Sequence, residues 1–198
     1  MEIGLTMRLF SQISGPLQLV SWSTCESYQR LAVVCRAIVI MGAGGTFSAG
    51  VDLRDPLFAD ASLMNEAAFN GPKNIFWHLR QVQVPLIAAV AGACITGGME
   101  LALNCDIIIA SNTAFFQDTH TRYGIVPAAG MTSLLPKAIG LHAAKWMSLT
   151  GARVPAQRAH DLGLVAKVGV LHDFGVLSSF PVQMGWTRHH NQMSACHV

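Results

Sequence analysis

Charge is the scarcest property of this chain. Only 12% of its 198 residues are Asp, Glu, Lys or Arg, whereas 52% are hydrophobic; soluble domains usually carry about 25% charged residues. So little charge cannot coat a monomer, and part of the surface is expected to be covered by another subunit. The charges that are present nearly cancel, at a formal net charge of +2 without a run of Lys or Arg, which leaves no electrostatic footprint for nucleic acid. The five cysteines, Cys25, Cys35, Cys94, Cys105 and Cys196, are odd in number and lack a CxxC pair. They read as reduced thiols and not as a disulfide framework. An unbroken apolar run is missing as well. The most apolar stretch, 84–110, contains Pro85, Gly92, Gly97 and Gly98 ahead of Glu100, and then Asn104 and Asp106. A membrane span needs roughly 20 apolar residues without buried charge, so none is expected. Residues 1–30 lack a basic-then-apolar signal with a small-residue cleavage site, and their Arg8 and Arg30 are offset by Glu2 and Glu26, a poor composition for a transit peptide. Cytoplasm is the default expectation, with a mitochondrial location left open.

At this length the chain fits one well-cored domain better than two. From Arg36 onward strands and helices alternate. Ala37 to Met41 is an all-apolar run that Gly42 ends, the pattern of a strand buried on both faces. Four glycines between Gly42 and Gly50 demand a loop with unusual backbone angles. A helical pattern starts at Ser62, breaks at Gly71 and Pro72, and resumes with Ile75, Phe76, Leu79 and Val82 on one face. Pro85 to Val90 is a second buried strand, its proline tolerable only at the start. Gly97 and Gly98 lead into a short helix through Leu103, and Asp106 to Ala110 is a third strand. Helices are expected over Met131–Ile139 and His142–Thr150, then from Pro155 to just before Gly163; Leu164 to Val168 is a last short strand. Alternation of this kind predicts an α/β fold with a parallel core. The ends differ: 1–35 shows no strand period, and 169–198 is a mixed string. This divides the chain into an atypical N-terminal segment (1–35), a core (36–168) and an atypical tail (169–198). His189, His190, Cys196 and His197 in the tail are metal-ligand types, but nothing fixes them in a fold, so no metal site is expected.

Two glycine-bearing segments carry the chemistry. Gly42 to Phe47 after a strand suggests a dinucleotide loop, but that fingerprint needs a glycine where Phe47 stands and a helix opening there. A second reading fits both segments. Phe47 to Leu53 follows the first strand and Ala91 to Leu101 the second, each exposing backbone N–H groups at the carboxyl end of a buried strand, where open α/β sheets bind ligands. In the second segment those groups also begin a helix. Two N–H groups converging on one carbonyl oxygen form an oxyanion hole, which can stabilise an enolate.

Here the chain resembles the crotonase (enoyl-CoA hydratase/isomerase) family. The resemblance rests on Ala37 to Leu53, Val84 to Asp106, Gly124 to Gly130, and Leu149 through Arg153 to Gly163 and Val165, which follow the family's order and spacing. It implies a crotonase-like spiral of ββα units with buried, mostly parallel strands. It also implies an oxyanion hole from the backbone N–H groups of Val51 and Gly97. Ala49, Val51, Asp52, Leu53, Arg54 and Gly97 would line an acyl-CoA thioester, and Glu100 would be the first catalytic glutamate, positioning water and exchanging its proton. Without the motif, Glu100 reads as ordinary dipole complementation in a first helical turn.

The family's second catalytic glutamate is absent. His120 stands at its position, with Asp118 two residues before it, in a segment that reads as loop. An imidazole can give or take a proton near neutral pH, so Glu100 and His120 can form an acid–base pair; the bland alternative is that His120 only fills the site. No cofactor is implied, coenzyme A being part of the substrate, and a homo-trimer or hexamer is implied if the C-terminus permits. Both family termini read as altered or missing. Three functions follow: a lyase adding water to a 2-enoyl-CoA, a catalytically impaired crotonase-like subunit or CoA-binding and oligomerisation module, and an unstable truncated product. Asp106, Trp146 and Met147 read as structural.

Overall fold

A computed structural model describes residues 5–11, 18–20, 35–42, 45–50, 75–170, 186–189 and 192–195. The expected helical pattern from Ser62 to Pro72 lies outside the described residues. The main sheet is built on three apolar strands, β3 (Cys35–Gly42), β4 (Leu86–Val90) and β6 (Ile107–Ser111). They run parallel, with Ile38 opposite Leu86 and Ile87 opposite Ile107. Successive side chains alternate faces. Ile38, Ile40, Leu86, Ala88, Val90, Ile108 and Ala110 enter the large core, while Val39, Ile87, Ala89 and Ile109 form a second buried cluster. A strand buried on both faces must be apolar throughout, which is why these runs are continuous.

Pro85 precedes β4, and its carbonyl accepts the Ile38 N–H at 2.8 Å. The next residue, Leu86, donates its N–H to Asp106 Oδ2 at 2.7 Å and accepts the Asp106 N–H at 2.8 Å. Asp106 thus fixes the register of β4 on β6, the structural role expected of it. With β1 (Leu5–Ser11), β2 (Gln18–Val20) and β9 (Lys167–Gly169), the order of the sheet is β2-β1-β3-β4-β6-β9.

Two strands correct the reading of residues 1–35. β1 (Leu5–Ser11) pairs antiparallel with β3, and β2 (Gln18–Val20) pairs antiparallel with β1. In sequence, Leu5, Met7 and Leu9 alternate with Thr6 and Arg8, a short period-2 signal that Phe10 obscures. Ladder hydrogen bonds are main-chain groups, so pairing does not need a clean side-chain pattern. In the tail, β10 (Trp186–His189) and β11 (Gln192–Ala195) form an antiparallel pair. The last strand of the main sheet, β9 (Lys167–Gly169), starts three residues after the expected Leu164. Leu164 and Val165 instead turn back over helix α6 (Ala156–Asp161), both donating to the Ala159 carbonyl, and bury their side chains before pairing begins.

The remaining helices follow the expected positions except one: His120–Tyr123 is helical where the sequence reads as loop. They are α1 (Ile75–Gln81), α2 (Gly97–Leu103), α3 (His120–Tyr123), α4 (Met131–Ile139) and α5 (Leu141–Thr150). Leu79 of α1 is buried, with Ile75, Phe76 and Val82 packed beside the core. A second sheet, β5-β7-β8, comes from β5 (Ala93–Ile95), β7 (Phe115–Gln117) and β8 (Val154–Pro155). Each is too short for periodicity to reveal. No helix among the described residues is long and apolar enough to cross a membrane. Trp146 is exposed on α5, whereas Met147 is fully buried.

Replacing Asp106 by Ala leaves the Leu86 N–H buried without its acceptor. We expect this to lower the unfolding free energy by about 1–3 kcal/mol, read as an earlier urea midpoint, with Asp106→Asn losing less.

Candidate active site

The site is assembled where the small sheet meets α2. Loop 45–50 runs beside β5: Ser48 donates its N–H to the Ala93 carbonyl at 3.0 Å and accepts the Ile95 N–H at 2.9 Å. Gly98 must be glycine here, because a Cβ would lie 2.5 Å from the Ser48 carbonyl oxygen. Gly50 has φ +94, and a Cβ on it would lie 3.4 Å from the Gly97 nitrogen. Gly50 therefore lies against the first residue of α2. Val51, Asp52, Leu53 and Arg54 lie outside the described residues, while Ala49 is exposed on the loop.

Thr96 makes the corner between β5 and α2 at φ 51, the one non-glycine residue with positive φ among the described residues. A β-branched residue in this region is strained and needs its surroundings to hold it. Its N–H donates to the Gln117 carbonyl at 2.8 Å, and its Oγ1 accepts the Thr119 N–H at 3.1 Å and pairs with Thr119 Oγ1. These bonds tie the start of α2 to the residue preceding His120.

Glu100 is on the first turn of α2 and is buried. Its Oε1 accepts the N–H groups of Ala129, at 2.8 Å, and Met131, at 3.3 Å. Asn104, one turn later, donates through Nδ2 to the carbonyls of both Glu100 and Ala129, each at 2.8 Å. Loop 125–130 is thereby clamped to the carboxylate and to its helix. Burial raises the Glu100 carboxyl above its ordinary pKa and Asp118 adds to this, while the Ala129 and Met131 N–H groups and the His120 ring pull it down without cancelling the rise.

The other oxygen of Glu100 faces His120. His120 is buried at the start of α3, and its Nε2 lies 3.8 Å from Glu100 Oε2. That separation is too long for a direct hydrogen bond. Asp118, wholly buried in the loop between β7 and α3, accepts the His120 N–H at 3.1 Å and pairs through the same Oδ1 with the ring Nδ1 at 2.7 Å. Burial pushes the Asp118 carboxyl upward, but the His120 ring, the Ser148 hydroxyl and the His120 N–H, with the ring's charge, bring it below its ordinary value. The underlying α3 is moored to α5, with Thr121 Oγ1 donating to the Ser148 carbonyl and Arg122 Nη2 to that of Gly151.

Of the residues expected at the site, the structure thus brings together Glu100, His120 and, through the corner at Thr96, Gly97. Three contributors had no role assigned from the sequence. The Gly124 to Gly130 motif was visible, but its purpose, supplying the Ala129 N–H to Glu100, depends on a contact 29 residues away. Asn104 carried no signal. Asp118 carried one, an Asp two residues ahead of the histidine at the motif position.

These features define a class. The chain belongs to the enoyl-CoA hydratase/isomerase (crotonase) family, whose model matches residues 27–175. Among individual proteins, it is 38% identical over 138 residues to a probable enoyl-CoA hydratase of Mycobacterium leprae, covering 69% of this chain and 52% of that protein. It is 38% identical over 133 residues to a mitochondrial enoyl-CoA hydratase of Pongo abelii, covering 67% and 44%. An enoyl-CoA hydratase subunit structure from Geobacillus kaustophilus superposes with a TM-score of 0.67 at 36% identity, covering 76% of this chain and 57% of that one. An enoyl-CoA hydratase from Bacillus anthracis gives 0.67 at 30% identity, covering 83% and 70%. The chain spans about half the length of the curated relatives it matches.

The raised carboxyl of Glu100 has a consequence for stability. A group that binds its proton more tightly when folded favours the folded state below its unfolded pKa, and that contribution is lost as pH rises through the folded pKa. At neutral pH Glu100 is therefore a cost to folding. Glu100→Gln is expected to raise Tm at pH 7, by about 2–4 °C for each ~1 kcal/mol recovered, with the gain vanishing as pH falls below about 4. Thermal melts of both proteins across that range check the sign.

Proposed function

We propose that this chain adds water across the double bond of a 2-enoyl-CoA thioester, with Glu100 and His120 as its acid–base pair. The observation that carries this reading is the approach of Glu100 Oε2 and His120 Nε2 to 3.8 Å in a buried site. The family's second glutamate is replaced, yet a proton-bearing group stands where one is needed. Water bound at Glu100 Oε2 loses a proton to the carboxylate as its oxygen bonds to the β-carbon. The π electrons move to the thioester oxygen, and the resulting enolate is held by the N–H groups of Gly97 and, from the resemblance, Val51. The α-carbon then takes a proton from Nε2 of the His120 imidazolium, whose Nδ1–H stays on Asp118. Transfer of the Glu100 proton back to the imidazole resets the pair, and the sum is one water added.

The oxygen anchored by Ala129 and Met131 keeps the reactive carboxylate oxygen aimed at the substrate, an orientation worth several kcal/mol in effective concentration. Coenzyme A enters only as part of the substrate. A homo-trimer or hexamer belongs to this reading because the exposed Tyr123, Val126, Trp146 and Leu149 supply apolar surface that charge does not cover. The compartment does not follow from the family, since relatives include a mitochondrial enzyme in Pongo abelii and a peroxisomal one in Arabidopsis thaliana.

The test is loss of absorbance of crotonyl-CoA with the purified chain. We expect steady turnover, reduced by about 10²–10⁴-fold in Glu100→Gln and in His120→Ala. Thioester binding without turnover, unaffected by Glu100→Gln, would identify instead a CoA-binding subunit.

A further inference from the structure

We infer that Asp118 is the positioning residue of the site: it holds the His120 ring with Nδ1–H directed into its own carboxylate, so that Nε2 is the nitrogen presented to Glu100. The inference rests on the hydratase reading above for its kinetic part, but its structural part stands independently.

Three observations lead to it. First, a single oxygen, Asp118 Oδ1, meets His120 twice, at the backbone N–H and at the ring Nδ1, which fixes both the start of α3 and the ring's rotation. Second, an ionised carboxylate can only accept, so the atom it meets at 2.7 Å must be protonated. This settles which tautomer is compatible with the geometry, and it leaves Nε2 on the side of Glu100, 3.8 Å away. Third, Asp118 is committed to His120. Its side chain is completely buried, its Oδ2 has no hydrogen-bond partner of ordinary geometry, and among the described residues its ion-pair partner is His120. A charge taken wholly out of water depends on such a partner.

The nearby arginines do not relieve it. Arg122 donates to the Gly151 carbonyl, and Arg153 donates to Gln117 Oε1 while its guanidinium lies over the Phe115 ring. Carboxylate, imidazole and second carboxylate thus follow one another, Asp118 to His120 to Glu100, and the outer member orients the ring. With Asn at 118, the amide can present its NH₂ to Nδ1, which stabilises the other tautomer and turns a protonated Nε2 into the resting form. The ring stays in place, but its Nε2 proton then belongs to a neutral imidazole, too weak an acid to protonate the α-carbon; an Asn substitution likewise holds the unproductive tautomer in a Ser–His–Asp triad.

The experiment uses the full chain labelled with ¹⁵N-histidine. Two-bond ¹H–¹⁵N spectra of the wild type should show neutral His120 with its proton on Nδ1; a proton on Nε2 would overturn the inference, and this measurement needs no variant to fold. For Asp118→Asn we expect kcat on crotonyl-CoA to fall on the order of 10²-fold while KM stays within about twofold. An unchanged kcat, or a KM that rises in step with the loss, also overturns it. Wild-type protein with the Nδ1–H signature and no turnover refutes the hydratase reading and leaves the Asp118 assignment supported. Turnover with the Nε2–H signature does the reverse.

Discussion

The site depends on one hydrogen bond, from the Ala129 N–H to Glu100 Oε1 at 2.8 Å. It turns a carboxylate on a short helix into a group with one anchored oxygen and one free oxygen. Without it Glu100 would be a flexible side chain at a helix start, favourable to the dipole and nothing more. The bond requires loop 125–130 to cross over α2, and Asn104 holds it there by bonding both partners' carbonyls. Gly130 completes the crossing at φ 111, its nitrogen-side neighbour being the donor itself.

A second constraint is the strained corner at Thr96. The hydroxyl of Thr119 and the main chain of Gln117 stabilise a backbone conformation that Thr would otherwise avoid. The same contacts bring the segment carrying Asp118 and His120 beside the helix carrying Glu100. Strain at one residue is thereby exchanged for the juxtaposition of two elements more than a dozen residues apart, a pattern common at functional sites. Gly98 contributes by being small, since the Ser48 carbonyl occupies the space of a side chain there.

Burial acts in opposite directions on the two carboxylates. Glu100 has two main-chain donors and a ring nearby, and desolvation still prevails, so its proton is held more firmly than usual. At Asp118 the bonded imidazole and its companions prevail over desolvation, so the charge is kept. Two carboxylates with affinities displaced in opposite senses, joined by an imidazole, suit one to exchange protons and the other to remain ionised. This division follows from which donors reach each oxygen, not from residue type.

Much of this was legible in the chain itself. Continuous apolar runs at 37–41, 86–90 and 107–110 determined a parallel, doubly covered sheet, because only side chains that avoid water on both faces can occupy it. The glycine-bearing segments ending at Gly50 and Gly98 and the glutamate at 100 marked a ligand site, because small residues expose backbone donors. The tertiary structure alone decided the rest. Strands β1, β2, β5, β7 and β8 are either short or imperfectly patterned, and main-chain pairing with a preformed neighbour is what makes them strands. That Ala129 and Asn104 restrain Glu100, and that Asp118 meets His120 at the one nitrogen away from Glu100, are facts of distance between side chains and loops. Periodicity records which face of an element is buried; it holds no information about which atoms of another element will meet it there.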